Sequence, residues 1–232
     1  MTPLIDDEVH TFSEHGLYDG LFLMMDQETG TYWDHLTGDA VYGPLVGTTL
    51  EIANLRHTVA GQILGEEPAA QVAISERTGR MGGSDRLTLD GLLARVGGGL
   101  SRFFKNTVKE EDDRMPTMDL GLGVWDGDVA RYYSYADVTT EGNAVLDEFQ
   151  GRTLLVYLDP TALNLVSFYM EADSSEWDDD VLRLSNGAYI ERGVAYDANG
   201  EMIRGARPLQ IPTRWYGFAL TFPDTEIYGR SR

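Results

Sequence analysis

The residues best suited to chemistry in this sequence are its four histidines, and all of them lie near its start. His10, His15, His35 and His57 fall within the first 57 of 232 residues. A neutral imidazole is the commonest side-chain metal ligand, and it changes charge close to neutral pH. The clustering therefore predicts either a metal site or an acid–base site in this part of the chain.

His35 and His57 occupy the ends of predicted elements, where sites on β scaffolds collect. His35 directly follows Asp34 at the end of a predicted strand, and His57 precedes a predicted short helix. Asp34 could orient an imidazole by accepting its hydrogen bond, or bind a metal directly. We take His15, His35 and His57 as candidate ligands of a divalent metal ion. Structural or surface histidines remain the alternative, because the spacings contain neither His-x-x-x-His nor His-Glu-x-x-His.

Four aromatic residues, Tyr18, Phe22, Tyr32 and Trp33, lie beside these histidines. Rings with a polar tip suit ligand pockets, and they suit β cores equally well. Successive side chains of a strand point to opposite faces, so only one of Tyr32 and Trp33 can line a pocket on a given face. The candidate ligand-binding residues are Tyr18, Trp33, Asp34, His35 and His57.

Several other kinds of chemistry are excluded or unsupported. The sequence has no cysteine, so it has no disulfide, thiolate metal site or cysteine nucleophile. Gly97–Gly99 lacks the Lys-Ser/Thr that a phosphate loop requires, and no Gly-x-Ser-x-Gly elbow occurs. The acidic stretch 173–180 lacks the glycine of an EF-hand loop, so a solvated acidic loop is the favoured interpretation.

The charge balance narrows the class of partner. Lys and Arg number 18 against 38 Asp and Glu, which gives a formal net charge of −20. Such a surface repels phosphate backbones and anionic lipid, so we expect neither nucleic acid nor membrane as a partner. No apolar run is long enough to span a membrane, and the acidic start lacks a signal peptide. We expect a soluble cytoplasmic protein whose partner is a small molecule or a protein, with a homo-oligomer left open.

The elements that must position these residues fall into three segments. Residues 1–75 contain dense turn signals and short apolar runs, typical of a β-rich unit. Residues 76–118 show apolar residues at helical spacing, interrupted by the triple glycine, which predicts a partly helical connector or insertion. Residues 119–232 return to short apolar runs separated by turns such as Asp126-Gly127, which predicts a second β-rich unit. We expect one compact domain overall.

Two stretches of the chain contain the same predicted elements in the same order. The stretch that begins at the Asp26–Gly30 turn and the stretch that begins at the Asp197–Gly200 turn each lead through an apolar pair to a short helix and a proline. This internal repeat predicts duplicated units, with His57 and Trp215 at roughly equivalent positions. The expected fold is therefore α+β and β-rich, with two pseudo-repeated antiparallel β units, short helices and the connector.

At these residues the sequence resembles a prokaryotic family known as domain of unknown function 3179. The resemblance covers most of the chain except 76–118. It is carried by Asp26-x-x-Thr29-Gly30-x-x-Trp33, by Thr37-Gly38-x-Ala40-x-x-Gly43-Pro44-Leu45-x-Gly47-x-x-Leu50, and by Phe222-Pro223-Asp224-Thr225-x-Ile227-Tyr228. The family pattern usually includes an upstream Cys-x-x-Cys segment, which this sequence lacks. A thiol role that the family would suggest is therefore not available here, and the resemblance implies no activity.

Two functions are compatible with these features. The absence of catalytic motifs and the turn-rich signature favour a non-catalytic binding or structural module. The alternative is a small-molecule or metal-dependent enzyme whose pocket lies around His35 and His57.

Overall fold

The computed structural model shows a β-rich protein with several small antiparallel sheets and three short helices in its described residues, which confirms the predicted α+β class. The structure describes residues 3–54, 56–71, 108, 111–203 and 207–230. Most of the predicted connector lies outside these residues, as does most of the strand that the sequence predicts at 71–75. No helix in the described part of the chain has the length and hydropathy that a membrane span requires.

The chain divides into two compact units that interleave along the sequence. The first unit holds the described residues of 1–55, 99–134 and 209–232, and the second holds those of 56–98 and 135–208. The segments predicted from the sequence follow chain order, whereas each unit of the structure combines distant stretches. We describe each unit by itself.

The first unit begins with a two-stranded ribbon and a four-stranded antiparallel sheet. The ribbon pairs β1 (Leu4–Ile5) with β2 (Glu8–Val9). The sheet is a meander of four consecutive strands, β3 (Phe12–Tyr18), β4 (Leu21–Asp26), β5 (Tyr32–Asp34) and β6 (Ala40–Tyr42). Its inner face covers a cluster of buried apolar residues, Ile5, Trp33, Ala40 and Leu50.

A second four-stranded sheet and one helix complete the first unit. Their bounds are β7 (Leu120–Asp126), β8 (Val129–Ser134), β16 (Leu209–Arg214), α3 (Trp215–Thr221) and β17 (Glu226–Ile227). The strand order is β16-β7-β8-β17, with β17 parallel to β8 and the other pairs antiparallel. Trp215 and Phe218 of α3 pack on Trp125 and Tyr132 in the core. A glycine at position 123 allows this packing, because a Cβ there would lie 2.2 Å from the Phe218 ring.

The second unit contains two further antiparallel sheets and two helices. Their bounds are α1 (Ala60–Glu66), α2 (Tyr135–Thr140), β9 (Ala144–Phe149), β10 (Arg152–Asp159), β11 (Asn164–Tyr169), β12 (Ser175–Asp178), β13 (Val181–Leu184), β14 (Tyr189–Glu191) and β15 (Val194–Tyr196). One sheet has the order β11-β10-β9, and the other is the meander β12-β13-β14-β15. Residues of both sheets, including Leu155, Phe168, Leu182 and Ile190, form one apolar core.

The helices of the predicted internal repeat, α1 and α3, are alike in their local geometry. Each has seven residues, starts after an extended residue, and ends where the following N–H donates to a carbonyl four residues earlier. Pro68 and Pro223 follow them at the same distance. By helix start, Trp215 corresponds to Ala60 and not to His57. The likeness is local, so the internal repeat stays a prediction.

Candidate functional site

An open groove with a volume of about 780 Å³ lies on the first unit. We call it the aromatic groove. Its lining comes from β3 to β6 and from the end of α3, and consists of Tyr18, Leu21, Phe22, Leu23, Tyr32, Asp34, Thr37, Asp39, Val41, Tyr42, Leu220 and Thr221. Every lining residue belongs to the first unit.

Large apolar side chains are left in solvent along this groove. Tyr18 is 65% exposed, Phe22 52%, Val41 49% and Tyr42 70%. Scattered exposed hydrophobic residues are ordinary, but a contiguous apolar patch with a polar rim marks an interaction surface. The groove is therefore the best-supported binding surface in the first unit.

The fold of the meander determines which rings reach the groove. Asp19 and Gly20 have positive φ angles of 47° and 81°, which form the tight hairpin turn that pairs Tyr18 with Leu21. Tyr32 and Tyr42 are paired across β5 and β6, and their ring centroids lie 5.8 Å apart.

The end of α3 closes one side of the groove. The Tyr216 hydroxyl donates to the Gly20 carbonyl at 3.3 Å, which ties the helix to the hairpin turn. Gly217 lies so close to Leu21 that an added Cβ would be 2.9 Å from Leu21 Cδ2. These two contacts explain why Leu220 and Thr221 line a groove formed mainly by residues 18–42.

The polar rim of the groove is anionic. The Asp34 carboxylate accepts hydrogen bonds from the Leu36 N–H at 2.7 Å and the Thr37 N–H at 3.2 Å. The Asp39 carboxylate accepts one from the Thr49 hydroxyl at 2.6 Å. Each aspartate is thus held by neighbouring groups, and neither Lys nor Arg occurs among the described residues that line the groove.

Two of the candidate histidines lie next to the lining residues. The His15 side chain is on β3 with its ring 5.2 Å from the Tyr32 ring. His35 Nδ1 lies 3.1 Å from the Phe22 carbonyl oxygen, which acts as acceptor, so this nitrogen carries the proton in the neutral ring. His35 Nε2 is then the acceptor nitrogen of that ring.

The other two candidates, His57 and Trp33, are not among the lining residues. His57 is exposed, in the extended stretch before α1, and belongs to the second unit. Trp33 is fully buried in the core beneath the sheet, opposite Tyr32, as strand alternation predicts. Tyr18 and Asp34 are therefore the candidate ligand-binding residues that line the groove, and His35 contacts the backbone of a residue that does.

A different histidine takes part in the one convergent group of possible metal donors among the described residues. Donor atoms of His10, Asp26 and Glu28 lie within 4.8 Å of one another. No sequence pattern favours His10 over the other three histidines. His15, His35 and His57 belong to no such group in the described part of the chain, and a metal role for them stays a prediction.

Asp26 is the centre of a buried hydrogen-bond network. It accepts hydrogen bonds from Trp33 Nε1 at 2.9 Å, from the Thr29 N–H at 2.7 Å and from the Thr29 hydroxyl at 2.8 Å, and it lies 3.2 Å from His10 Nδ1. Burial alone would raise the pKa of Asp26, but hydrogen bonds from Trp33, Thr29 and His10 stabilise its anion and lower the pKa to about 2.

These donors make the Asp26 cluster a structural anchor. N–H and O–H groups already point at both Asp26 oxygens, and the Thr11 N–H donates to Glu28 Oε2 at 2.9 Å. A cation would face the positive ends of these groups. The motif Asp26-x-x-Thr29-Gly30-x-x-Trp33 is therefore explained by its geometry, because its members fix the β4–β5 turn to the core.

A family profile described as "Protein of unknown function (DUF3179)" matches residues 2–225. No curated protein and no solved structure matches the chain.

Proposed function

This chain belongs to the family of proteins of unknown function DUF3179, and from that premise we propose that it is a non-catalytic binding module whose aromatic groove holds a small organic cation of the alkylammonium class. The family description names no activity, so the groove itself carries the proposal. The single observation behind it is the set of exposed rings over an acidic rim that contains no basic residue among its described members.

The rings supply the attraction for such a cation. A cation held over the face of an aromatic ring within about 6 Å of its centroid gains roughly 0.5–2 kcal/mol. Tyr18, Phe22 and Tyr42 are all more than half exposed, so ring surface is available without rearrangement of the core. The Tyr32 and Tyr42 rings, tilted by 50° to each other, offer two surfaces to one ligand.

The charged residues of the groove favour a ligand with a positive charge. Asp34 and Asp39 are its charged lining residues in the described part of the chain. The whole chain carries a formal charge of −20, which raises the local concentration of cations. An anionic ligand would meet repulsion from both sources.

The groove has room for a small molecule. Ligand sites of drug-sized molecules occupy roughly 300–1,000 Å³, and this groove measures about 780 Å³. The catalytic alternative required His35 and His57 in one pocket. Neither histidine is among the described residues that line the groove, so the groove supports binding and gives no separate support to catalysis.

Calorimetric titration with choline chloride tests this function. The control is 3,3-dimethyl-1-butanol, which has the shape of choline with a neutral carbon in place of the charged nitrogen. We expect one choline site and affinity for the neutral compound at least about tenfold weaker, because only choline gains the cation–ring and carboxylate attraction. Equal binding of the two compounds would contradict the ligand class, and absence of choline binding would contradict the proposal.

A further inference from the structure

The second unit contains a separate cavity with a volume of about 220 Å³. Two arginines, Arg56 and Arg207, contribute to its walls together with Phe168, Val194 and Glu66. It shares no residue with the aromatic groove, and its chemistry is different because basic side chains reach it.

Arg207 is the unusual member of this cavity. Its guanidinium carbon lies 3.7 Å from the centroid of the Phe168 ring, so the side chain is stacked on an aromatic surface. Its Nη1 is buried, and no group in the described part of the chain accepts a hydrogen bond from it. A buried charged donor without an acceptor is costly, so native proteins rarely keep one without a use.

The neighbouring carboxylates do not accept a hydrogen bond from Arg207 Nη1. Glu66 pairs with Arg56, whose Nη1 donates to Glu66 Oε2 at 3.0 Å and whose Nη2 contacts Glu66 Oε1. Asp159 attracts Arg207 through space, but its Oδ2 already accepts from Gln62 Nε2 at 2.8 Å. Burial lowers the pKa of Arg207 to about 10, which leaves it cationic near neutral pH.

We propose that the cavity beside Arg207 is a binding site for a small oxyanion, a carboxylate or a phosphate group, held by the Arg207 guanidinium. The planar guanidinium presents paired N–H donors that match such groups. The cavity is large enough for phosphate or a small carboxylic acid, and the Phe168 ring fixes the plane of the guanidinium against it. Glu66 and Glu67 also line the cavity, and their carboxylates would repel a ligand with a large negative charge. We therefore expect monovalent and divalent anions to bind better than polyanions.

The test is calorimetric titration of the full chain with inorganic phosphate and with acetate, at constant ionic strength set by chloride. We expect one site in the wild type and a loss of affinity of about 10- to 100-fold in Arg207→Gln, because a hydrogen bond to a charged group contributes roughly 1.5–3 kcal/mol. Arg183→Gln is the matched control. It removes an equal charge from an exposed ion pair of the same unit, with Asp178, and should keep wild-type affinity.

A second measurement covers the case in which Arg207→Gln does not fold. In wild-type protein, phosphate should shift the Nε–Hε NMR signal of Arg207 and leave that of Arg183 in place. Equal affinity in the wild type and Arg207→Gln, an equal response of both arginine signals, or no binding of either anion would overturn the proposal. The site is independent of the aromatic groove, so either proposal can fail without the other.

Discussion

Trp33 Nε1 donates to Asp26 Oδ2 at 2.9 Å, in a place where both side chains are fully buried. They are seven positions apart along the chain, and the β4–β5 turn brings them together. The motif Asp26-x-x-Thr29-Gly30-x-x-Trp33 thus stabilises the fold of the meander that forms most of the groove. The proposed ligand would bind on the opposite face of these strands, where Tyr32 and Asp34 line the groove.

Acid should destabilise the protein through Asp26. Its folded pKa of about 2 lies below the ordinary value of 3.8, so the anion contributes stability above pH 3.8, and this stability is lost as the pH falls toward 2. In urea titrations between pH 7 and pH 2, Asp26→Asn should lower the free energy of unfolding at neutral pH and show a weaker pH dependence. Asp128→Asn, at an exposed turn, should behave as wild type. Parallel pH profiles of Asp26→Asn and the wild type would contradict the assignment.

Trp33→Phe should separate the hydrogen bond from the packing. Phenylalanine keeps an apolar ring in the core but cannot donate to Asp26, so we expect a loss of about 1–3 kcal/mol in the free energy of unfolding. The pKa of Asp26 should rise, because one donor to its anion is gone. Carboxyl titration by NMR measures that shift. An unchanged Asp26 pKa would show that Trp33 contributes only packing.

The glycine at position 123 should resist substitution. A Cβ there would lie 2.2 Å from the Phe218 ring, so Gly123→Ala should destabilise the first unit by about 1–3 kcal/mol. Gly61→Ala is the matched change in the second unit, where α1 leaves open space and alanine favours the helix. It should stabilise by about 0.5 kcal/mol. Thermal unfolding of both variants gives the comparison, and equal effects would refute the packing argument.

Much of the β framework follows from local sequence patterns. Short apolar runs between turns predict strands at 21–25, 31–34 and 40–42, and the structure has strands there within a few residues. The short helices predicted before Pro68 and Pro223 are also present. These elements are bounded by Gly and Asp turns, whose conformations depend on few neighbours.

Two elements could not be foreseen in this way. Strand β3 has a register shift between Glu14 and Leu17, which breaks the alternation that identifies a strand. Helix α2 ends in Val138-Thr139-Thr140, a run that favours strands, yet the two threonine hydroxyls donate to helix carbonyls one turn earlier. Tertiary structure, and not the local sequence pattern, determines the secondary structure of both segments.

Only two of the residues that line the groove are candidates from the sequence. Tyr18 and Asp34 were candidates from their types and positions, and both line it. Tyr42 is not among the candidates, because nothing in the local sequence shows that its ring stays in solvent. Leu220 and Thr221 come from a helix almost 200 residues farther along the chain, so only the fold reveals them.

Removal of one ring or one charge of the groove should lower the affinity for the proposed ligand by a defined factor. Tyr42→Ala should lower choline affinity about 2- to 30-fold, since one cation–ring contact is lost. Val129→Ala is the control, an exposed apolar residue of the same unit that does not line the groove. Calorimetric titration of both variants is the measurement, and an equal effect in the two would contradict a specific ring contact.

Asp34→Asn keeps an acceptor for the Leu36 and Thr37 N–H groups but removes the charge. We expect about threefold weaker choline binding at low salt, and a smaller difference at 0.5 M salt, because salt screens exposed charges. Asp128→Asn makes the same charge change away from the groove. A salt-independent loss would point to altered structure of the turn instead of electrostatics.

The most direct measurement is the set of NMR contacts between the choline N-methyl protons and the aromatic protons of the labelled protein. We expect intermolecular nuclear Overhauser effects to the rings of Tyr18, Tyr42 and Phe22, with none to the buried rings of Trp33 and Trp215. Saturating choline without any contact to these exposed tyrosines, or with contacts only to rings of the second unit, would contradict the central claim that the aromatic groove is the binding site.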